Sequence, residues 1–308
     1  MLNHKIGNLN LIKILLVLAV LMSTSIFLAG CTDGETVEED GSENGIIVTD
    51  QAQNEVKFDS HPETVVTLMP HLTETLYALD MEDKIVGVSD FCNYPEEVMD
   101  KSQVGDAFDL NVEKIASLEP DVLLMGEGEM MGDMIEQFEE MDIETLVFDP
   151  KTLDEIEEMY VTIGELFDDI EAAESLAVEL QEDREKLEKS IDELDEHPTG
   201  VMLLEPESLF TVGADEFMTE VIELTGIDNI AAEESGYYEI SQEILLEEDP
   251  DLIITTYHDL EDIEQMGALS ELTAVQEGDV YQAHEDKFSR PGPRIIDGAR
   301  EVMQDIHE

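Results

Sequence analysis

The sequence contains no tryptophan, only two cysteines, and 14 lysines and arginines against 78 aspartates and glutamates. Each shortage excludes something. With so few cations in a chain of formal charge −64, a nucleic-acid partner or an acidic surface is excluded, because like charge repels it. The cysteines, Cys31 and Cys92, cannot form a structural disulfide if Cys31 is otherwise engaged. Cys92 then reads either as a small packed residue or as a lone reactive thiol. No G-x-S-x-G elbow and no glycine-rich phosphate loop occurs. Carboxylates are so abundant that no two can be singled out as an acid/base pair, so no enzyme chemistry is indicated. The acids run through every expected helix instead of gathering in a tail, which argues against disorder. They suit a folded protein in concentrated salt, where screening acts within ~3 Å at 1 M.

What is present begins with an address. Lys5 and Lys13 are the only charged side chains before Cys31, and Ile14–Leu28 is apolar apart from Ser23, Thr24 and Ser25. That is the basic head and short apolar stretch of an export signal, brief for a span of ~20 residues. Leu28-Ala29-Gly30-Cys31 resembles the lipobox of bacterial lipoproteins. The resemblance implies removal of residues 1–30 and lipid on Cys31, with several acyl chains giving a stable anchor on the outer face of the cell membrane. The alternative is a transmembrane helix ending in an incidental cysteine. Residues 31–44 are acidic and small and cannot bury a core, so a lipid-anchored tether is expected there.

From Gly45 onward the pattern is α/β. Gly45–Phe58 reads as a hairpin turning at Asp50–Asn54. Strands are expected at Val65–Met69, Ile85–Val88, Val122–Met125 and Thr145–Phe148, with helices at Glu74–Leu79, Asn111–Leu118, Met131–Met141 and Leu153–Phe167. Apolar positions Ala173, Ala177, Leu180, Leu187, Ile191 and Leu194, with Arg184 filling the gap, predict one long helix over Glu171–Leu194. His197-Pro198-Thr199-Gly200 ends it. Strands at Val201–Leu204, Leu252–Thr256 and Val280–Tyr281 follow, with helices at Glu216–Leu224, Gln242–Glu247 and Arg294–His307. The two halves echo each other at an offset of 130. Asn111-Val112-Glu113-Lys114-Ile115 precedes Glu119-Pro120-Asp121 and a strand, as Ser241-Gln242-Glu243-Ile244-Leu245 precedes Asp249-Pro250-Asp251 and a strand. The expected architecture is two α/β lobes with mainly parallel sheets, 45–168 and 197–308, joined by one backbone helix over 169–196, with a cleft at the strand ends.

Three segments resemble substrate-binding proteins of ABC importers: Val65–Pro70 with Thr73-Glu74, Val86–Pro95, and Asn111–Asp121. The subgroup is the one whose lobes share a single long helix and which serves vitamin B12, ferric siderophores and haem. The likeness runs from Gly45 to the C-terminus. It is closest to the cobalamin binders, through Asn93-Tyr94-Pro95 and Ser289-Arg290-Pro291-Gly292-Pro293-Arg294-Ile295. It implies an extracytoplasmic receptor, monomeric and without a cofactor of its own, that delivers cobalamin or a related corrinoid to a permease and its ATPase. Haem or ferric-siderophore capture is the alternative within the family, and a non-transport surface lipoprotein, enzyme or adhesin, is the alternative outside it.

The resemblance implies roles for particular residues. Glu113 and Glu243 match the acids that dock on basic sockets of the permease; each also suits the first turn of a helix on dipole grounds alone. Phe91, Phe210 and Tyr237 match cleft positions, where aromatic faces would hold a flat apolar ligand; ordinary core packing is the other reading. A B12 binder of the subgroup has Trp where this chain has Ala107 and Gly126, and Phe108 stands beside the first of these. Asp286 and Arg290 match polar ligand contacts, while Arg294 is expected to pair with acids near the terminal helix. His71 and His258 follow strands, on loops facing the cleft, and would be axial ligands only if the cargo were haem; otherwise they are solvated loop histidines. A zinc or manganese site would need a tighter set of His and carboxylates than the sequence offers.

Overall fold

In the computed structural model, residues 45–106, 109–126, 131–256, 260–263 and 265–307 are described. β1 (Ile46–Thr49) and β2 (Glu55–Phe58) form an antiparallel hairpin with Ile46 opposite Phe58. The first lobe follows as β3 (Val65–Thr67), α1 (Pro70–Ala78), β4 (Ile85–Val88), β5 (Ser102–Gln103), α2 (Val112–Ser117), β6 (Val122–Met125), α3 (Met131–Glu139) and β7 (Glu144–Val147). Its strand order is β5-β4-β3-β6-β7, parallel throughout. α4 (Leu153–Phe167) and α5 (Ile170–Asp192) lead to the second lobe.

The second lobe comprises β8 (Thr199–Glu205), β9 (Phe210–Val212), α6 (Phe217–Glu223), β10 (Asp228–Asn229), β11 (Tyr237–Glu239), α7 (Gln242–Glu248) and β12 (Leu252–Thr255). It is completed by α8 (Leu260–Ile263), α9 (Thr273–Glu277), β13 (Val280–Gln282), α10 (Glu285–Ser289) and α11 (Ile295–His307). Its order is β11-β9-β8-β12-β13, with β10 also on β8. β8, β10, β12 and β13 pair in parallel, whereas β9 and β11 are antiparallel additions. The two mainly parallel sheets and the long helix between them agree with the expected architecture.

The period of two along each central strand explains how the sheets are covered. In β6, Val122 and Leu124 join the main core and Leu123 and Met125 a satellite; in β12, Leu252 and Ile254 join the main core and Ile253 another satellite. All four residues of each strand are buried, as strands covered on both faces must be. The main core is continuous from the hairpin through α4 and α5 to Phe288 and α11. It therefore packs the lobes against a common spine.

α5 has 23 residues, about 34 Å at 1.5 Å per residue. Asp169 caps it by accepting from the Ala172 N–H, and Ala173, Ala177, Leu180 and Leu187 are buried as the spacing predicts. α4 and α5 cross closely at Gly164, where a Cβ would come within 2.3 Å of the Ala173 Cβ. Arg184 fills the gap in the apolar stripe by pairing with Asp154 at 2.8 Å and Glu188 at 3.0 Å.

Two expectations need correction. The first helix begins at Pro70 rather than Glu74, because proline at the first helical position has its φ preset and no N–H to satisfy. The β9–β11 ribbon lies outside the expected pattern, since three-residue strands are too short to show a period. Among the described residues, no helix is long and apolar enough to cross a membrane.

Candidate ligand cleft and docking faces

The lobes meet at a buried charge cluster. Glu74, on the core-facing side of α1, is 3% exposed in its side chain. Arg294 donates to both its oxygens at 2.8 Å, and Arg290 Nη1 donates to Oε1 at 2.8 Å. Arg290 also donates to Asn93 Oδ1 at 2.8 Å and pairs with Asp286 at 2.6 Å, while Asn93 Nδ2 donates to Asp286 Oδ2. The Arg294 guanidinium lies 3.8 Å from the centre of the Tyr94 ring, and the Tyr94-Pro95 bond is cis. Beneath the cluster Thr73 Oγ1 lies 2.5 Å from Thr67 Oγ1 and 3.1 Å from Cys92 Sγ. Burial pushes the Cys92 thiol up, against hydrogen bonds from Thr73 and Ser89. Cys92 is thus an inert packed residue rather than a reactive thiol.

Each lobe also carries exposed aromatic surface. In the first lobe the loop after β4 is pinned by Phe91 N–H donating to Ser89 Oγ and by Asp90 N–H donating to Gly105 O. It leaves Phe91 51% exposed. In the second lobe Phe210 on β9 and Tyr237 on β11 stack with centroids 6.2 Å apart and planes 20° apart, and Tyr237 is 41% exposed. Burial raises the Tyr237 phenol to about 12, together with Glu216 and Asp149 and against Lys151. Asp149 and Lys151 follow β7 of the first lobe, and Lys151 Nζ reaches Glu216 of the second lobe at 3.4 Å. Where Gly126 ends β6, the Met69 thioether fills the adjacent space; a Cβ there would lie 3.2 Å from Met69 Sδ.

The offset-130 repeat is visible in three dimensions. Glu113 and Glu243 occupy the first turns of α2 and α7, capped by Asn111 and Ser241, and both are exposed. Each helix ends in a left-handed acid, Glu119 and Asp249, before its proline. Asp121 Oδ2 then accepts from the Thr64 N–H and hydroxyl at 2.9 Å, and Asp251 Oδ2 does the same for Thr199 at 2.8 Å. β6 and β12 are thereby tied at their starts to β3 and β8, and the two acids hold equivalent places.

Comparison with known proteins decides the family. A family model for periplasmic binding proteins matches residues 65–287. The chain belongs to the periplasmic binding protein family. An uncharacterised ABC transporter substrate-binding lipoprotein of Bacillus subtilis (strain 168), YvrC, is 30% identical over 301 residues, covering 94% of this chain and 96% of that one. The crystal structure of the periplasmic vitamin B12 binding protein BtuF of Vibrio cholerae aligns with a TM-score of 0.70 at 25% identity, over 80% of this chain and 97% of that one. A Staphylococcus epidermidis structure, described as a possible iron-binding (periplasmic solute-binding) protein, aligns with a TM-score of 0.72 at 27% identity, over 81% and 100%.

As a periplasmic binding protein, the chain is an extracytoplasmic substrate-binding component of an ABC transporter, working with a permease and ATPase. Its family carries cargo rather than catalysing reactions. Arg290 meets Asp286 and, through Nη2 at 3.4 Å, the Phe91 carbonyl, while Phe210 and Tyr237 stack on each other in the second lobe; Phe108, His258 and Cys31 lie outside the described residues. Arg290 is drawn into the cluster by Glu74, while Asp286 and Asn93, which hold it from the other side, also line a surface cavity with His284 and Glu285. Arg294 pairs with Glu74 of the other lobe instead of with acids near the terminal helix. His71 is in the first turn of α1, not on a loop, and is 4% exposed with Gly292 against its backbone and Cβ. Its Nε2 has no partner, and burial, with Arg290 nearby, lowers its pKa to about 3. The ring is therefore neutral and buried, not a solvated loop histidine. Among the described residues, no group of three or more His, Cys, Asp and Glu could hold a metal ion.

Sequence reasoning overlooked Glu74 as the acid that joins the lobes. The available signal was the crowding of Lys287, Arg290 and Arg294 into eight positions of a chain nearly devoid of cations.

Proposed function

We propose that this periplasmic binding protein captures cobalamin or a related corrinoid outside the cell and passes it to its permease. The observation that carries the reading is the exposed aromatic surface on both lobes: Phe91 on one, stacked Phe210 and Tyr237 on the other. A corrin is a broad, largely apolar disc fringed with amides, and such a ligand needs aromatic faces with few polar anchors. Phe108 is a further ligand contact in this reading. The cargo sits between lobes at 45–168 and 197–308, which the helix at 169–196 joins. Glu113 and Glu243 meet basic sockets of the permease, and lipid on Cys31, after loss of residues 1–30, holds the monomer near it through the 31–44 tether. The acidic surface keeps the fold soluble in concentrated salt.

The test is calorimetric titration with cyanocobalamin in concentrated salt, beside the visible spectrum of protein purified from its own host. Tight binding without turnover and a corrin spectrum are expected; absence of any cobalamin heat overturns the assignment. Haem or ferric-siderophore capture is the second reading, supported by the likeness to the Staphylococcus structure. The burial of His71 leaves His258 as the candidate axial ligand, so a Soret shift lost in His258→Ala would establish the haem alternative.

A further inference from the structure

Lys151 is a cation in an unexpected place. It lies immediately before Thr152, the N-cap of α4, where the helix dipole disfavours positive charge. Helix chemistry does not explain it. Its backbone is fixed, with the N–H donating to Glu155 Oε2 at 2.6 Å. The Asp149 N–H next to it donates to Gln51 Oε1 at 3.0 Å, and Gln51 Nε2 donates to Glu155 O at 2.7 Å. From this rigid base the side chain crosses to the second lobe. Nζ lies 2.8 Å from Asp149 Oδ2 and 3.4 Å from Glu216 Oε2.

An ammonium group carries three protons. Two of these meet Asp149 and Glu216. The third has no partner among the described residues, and the side chain is 45% exposed. The Glu216 carboxylate that Lys151 meets lies 4.0 Å from where a Cβ on Gly236 would stand, next in sequence to Tyr237, which stacks on Phe210. Arg290, by contrast, is 15% exposed, with its guanidinium held by Glu74, Asn93 and Asp286. Open donor capacity beside an aromatic plate therefore lies with Lys151, not Arg290.

We propose that Lys151 is a ligand anchor whose open N–H donates to an oxygen on the rim of a flat apolar ligand lying against Tyr237 and Phe210. The acceptor class is an amide carbonyl, carboxylate or phosphodiester oxygen. The long Glu216 contact is the one such an oxygen displaces, while Asp149 keeps the ammonium charged and aimed. This inference rests on the cleft reading above and adds the polar contact that reading lacks.

Calorimetric titration of cyanocobalamin into wild type, Lys151→Met, Lys151→Arg and Glu216→Gln tests it, with thermal melts to show that each variant is folded. Lys151→Met weakens binding about ten- to hundred-fold, the range for a hydrogen bond to a charged group. Lys151→Arg restores most of the loss, and Glu216→Gln tightens binding several-fold by exchanging a charged competing acceptor for a weaker neutral one. Equal affinity in wild type and Lys151→Met overturns the proposal. So does a Glu216→Gln loss as large as that of Lys151→Met, which would make Lys151 a brace between lobes. If wild type binds haemin but not cyanocobalamin, the corrinoid assignment fails and the same variants are read with haemin, whose rim bears carboxylates. A wild type that binds neither overturns both.

Discussion

Asp121 ties Thr64 to the start of β6, and Asp251 ties Thr199 to the start of β12 by the same pair of hydrogen bonds. Glu113 and Glu243 sit alike on the helices leading into those strands. At the other ends of the strands the likeness stops. The first lobe presents Phe91 from a pinned loop on an all-parallel sheet, while the second adds an antiparallel ribbon that carries Phe210 and Tyr237. The frame repeats and the aromatic ends of the strands do not. This suits a receptor whose partner offers two similar sockets but whose cargo has no symmetry. The lobes are then locked together by groups that have no counterpart across the repeat.

The largest expected effect tests that lock. Glu74→Ala leaves two guanidiniums at the junction without their shared carboxylate. Breaking a buried pair costs about 3–5 kcal/mol, read as a lowered denaturant midpoint with an unchanged slope. A loss below about 1 kcal/mol would show that Asp286 and Asn93 alone satisfy Arg290, and the lock would move to the Lys151–Glu216 side. Glu74 was not legible as a functional residue because its partners lie 216 and 220 residues away. Within α1 it is simply an acid between two threonines.

Next in size is the contrast between the walls. Tyr237→Ala removes a ring and strips Phe210 of its stacking partner, so it should weaken corrinoid binding about ten-fold or more. Phe91→Ala removes a ring with no stacking partner among the described residues and should cost less. Calorimetric Kd values compare the two; a larger loss at Phe91 would make the first lobe the principal wall. The contrast mirrors what could be read in advance. Long periodic elements were plain, and α4 runs from Leu153 to Phe167 as its spacing predicts. The ribbon was not, because Phe210–Val212 and Tyr237–Glu239 are each three residues long and held by partners on other strands. Lys151 escaped notice for a related reason: its meaning comes from Glu216 and Tyr237, brought near only by the packing of one lobe against the other.

The smallest effect probes the repeat itself. Asp121 accepts from the N–H groups of Glu63 and Thr64 and from the Thr64 hydroxyl, whereas Asp251 accepts from the N–H and hydroxyl of Thr199. Both sites are exposed, so each clamp contributes about 1 kcal/mol or less. Asp121→Ala should cost slightly more than Asp251→Ala, by the extra donor. Burial acts to raise the Asp121 carboxyl, but the Glu63 and Thr64 donors, with Lys84, outweigh it and hold the pKa below its usual value. The stability it gives is therefore present above about pH 4, the ordinary aspartate range, and is lost as pH falls through the lower folded value. Melting curves of wild type and Asp121→Ala should be separated at neutral pH and converge in acid. Curves that stay equally separated at low pH would show that the clamp works through the shape of the strand start rather than through the charge of its carboxylate.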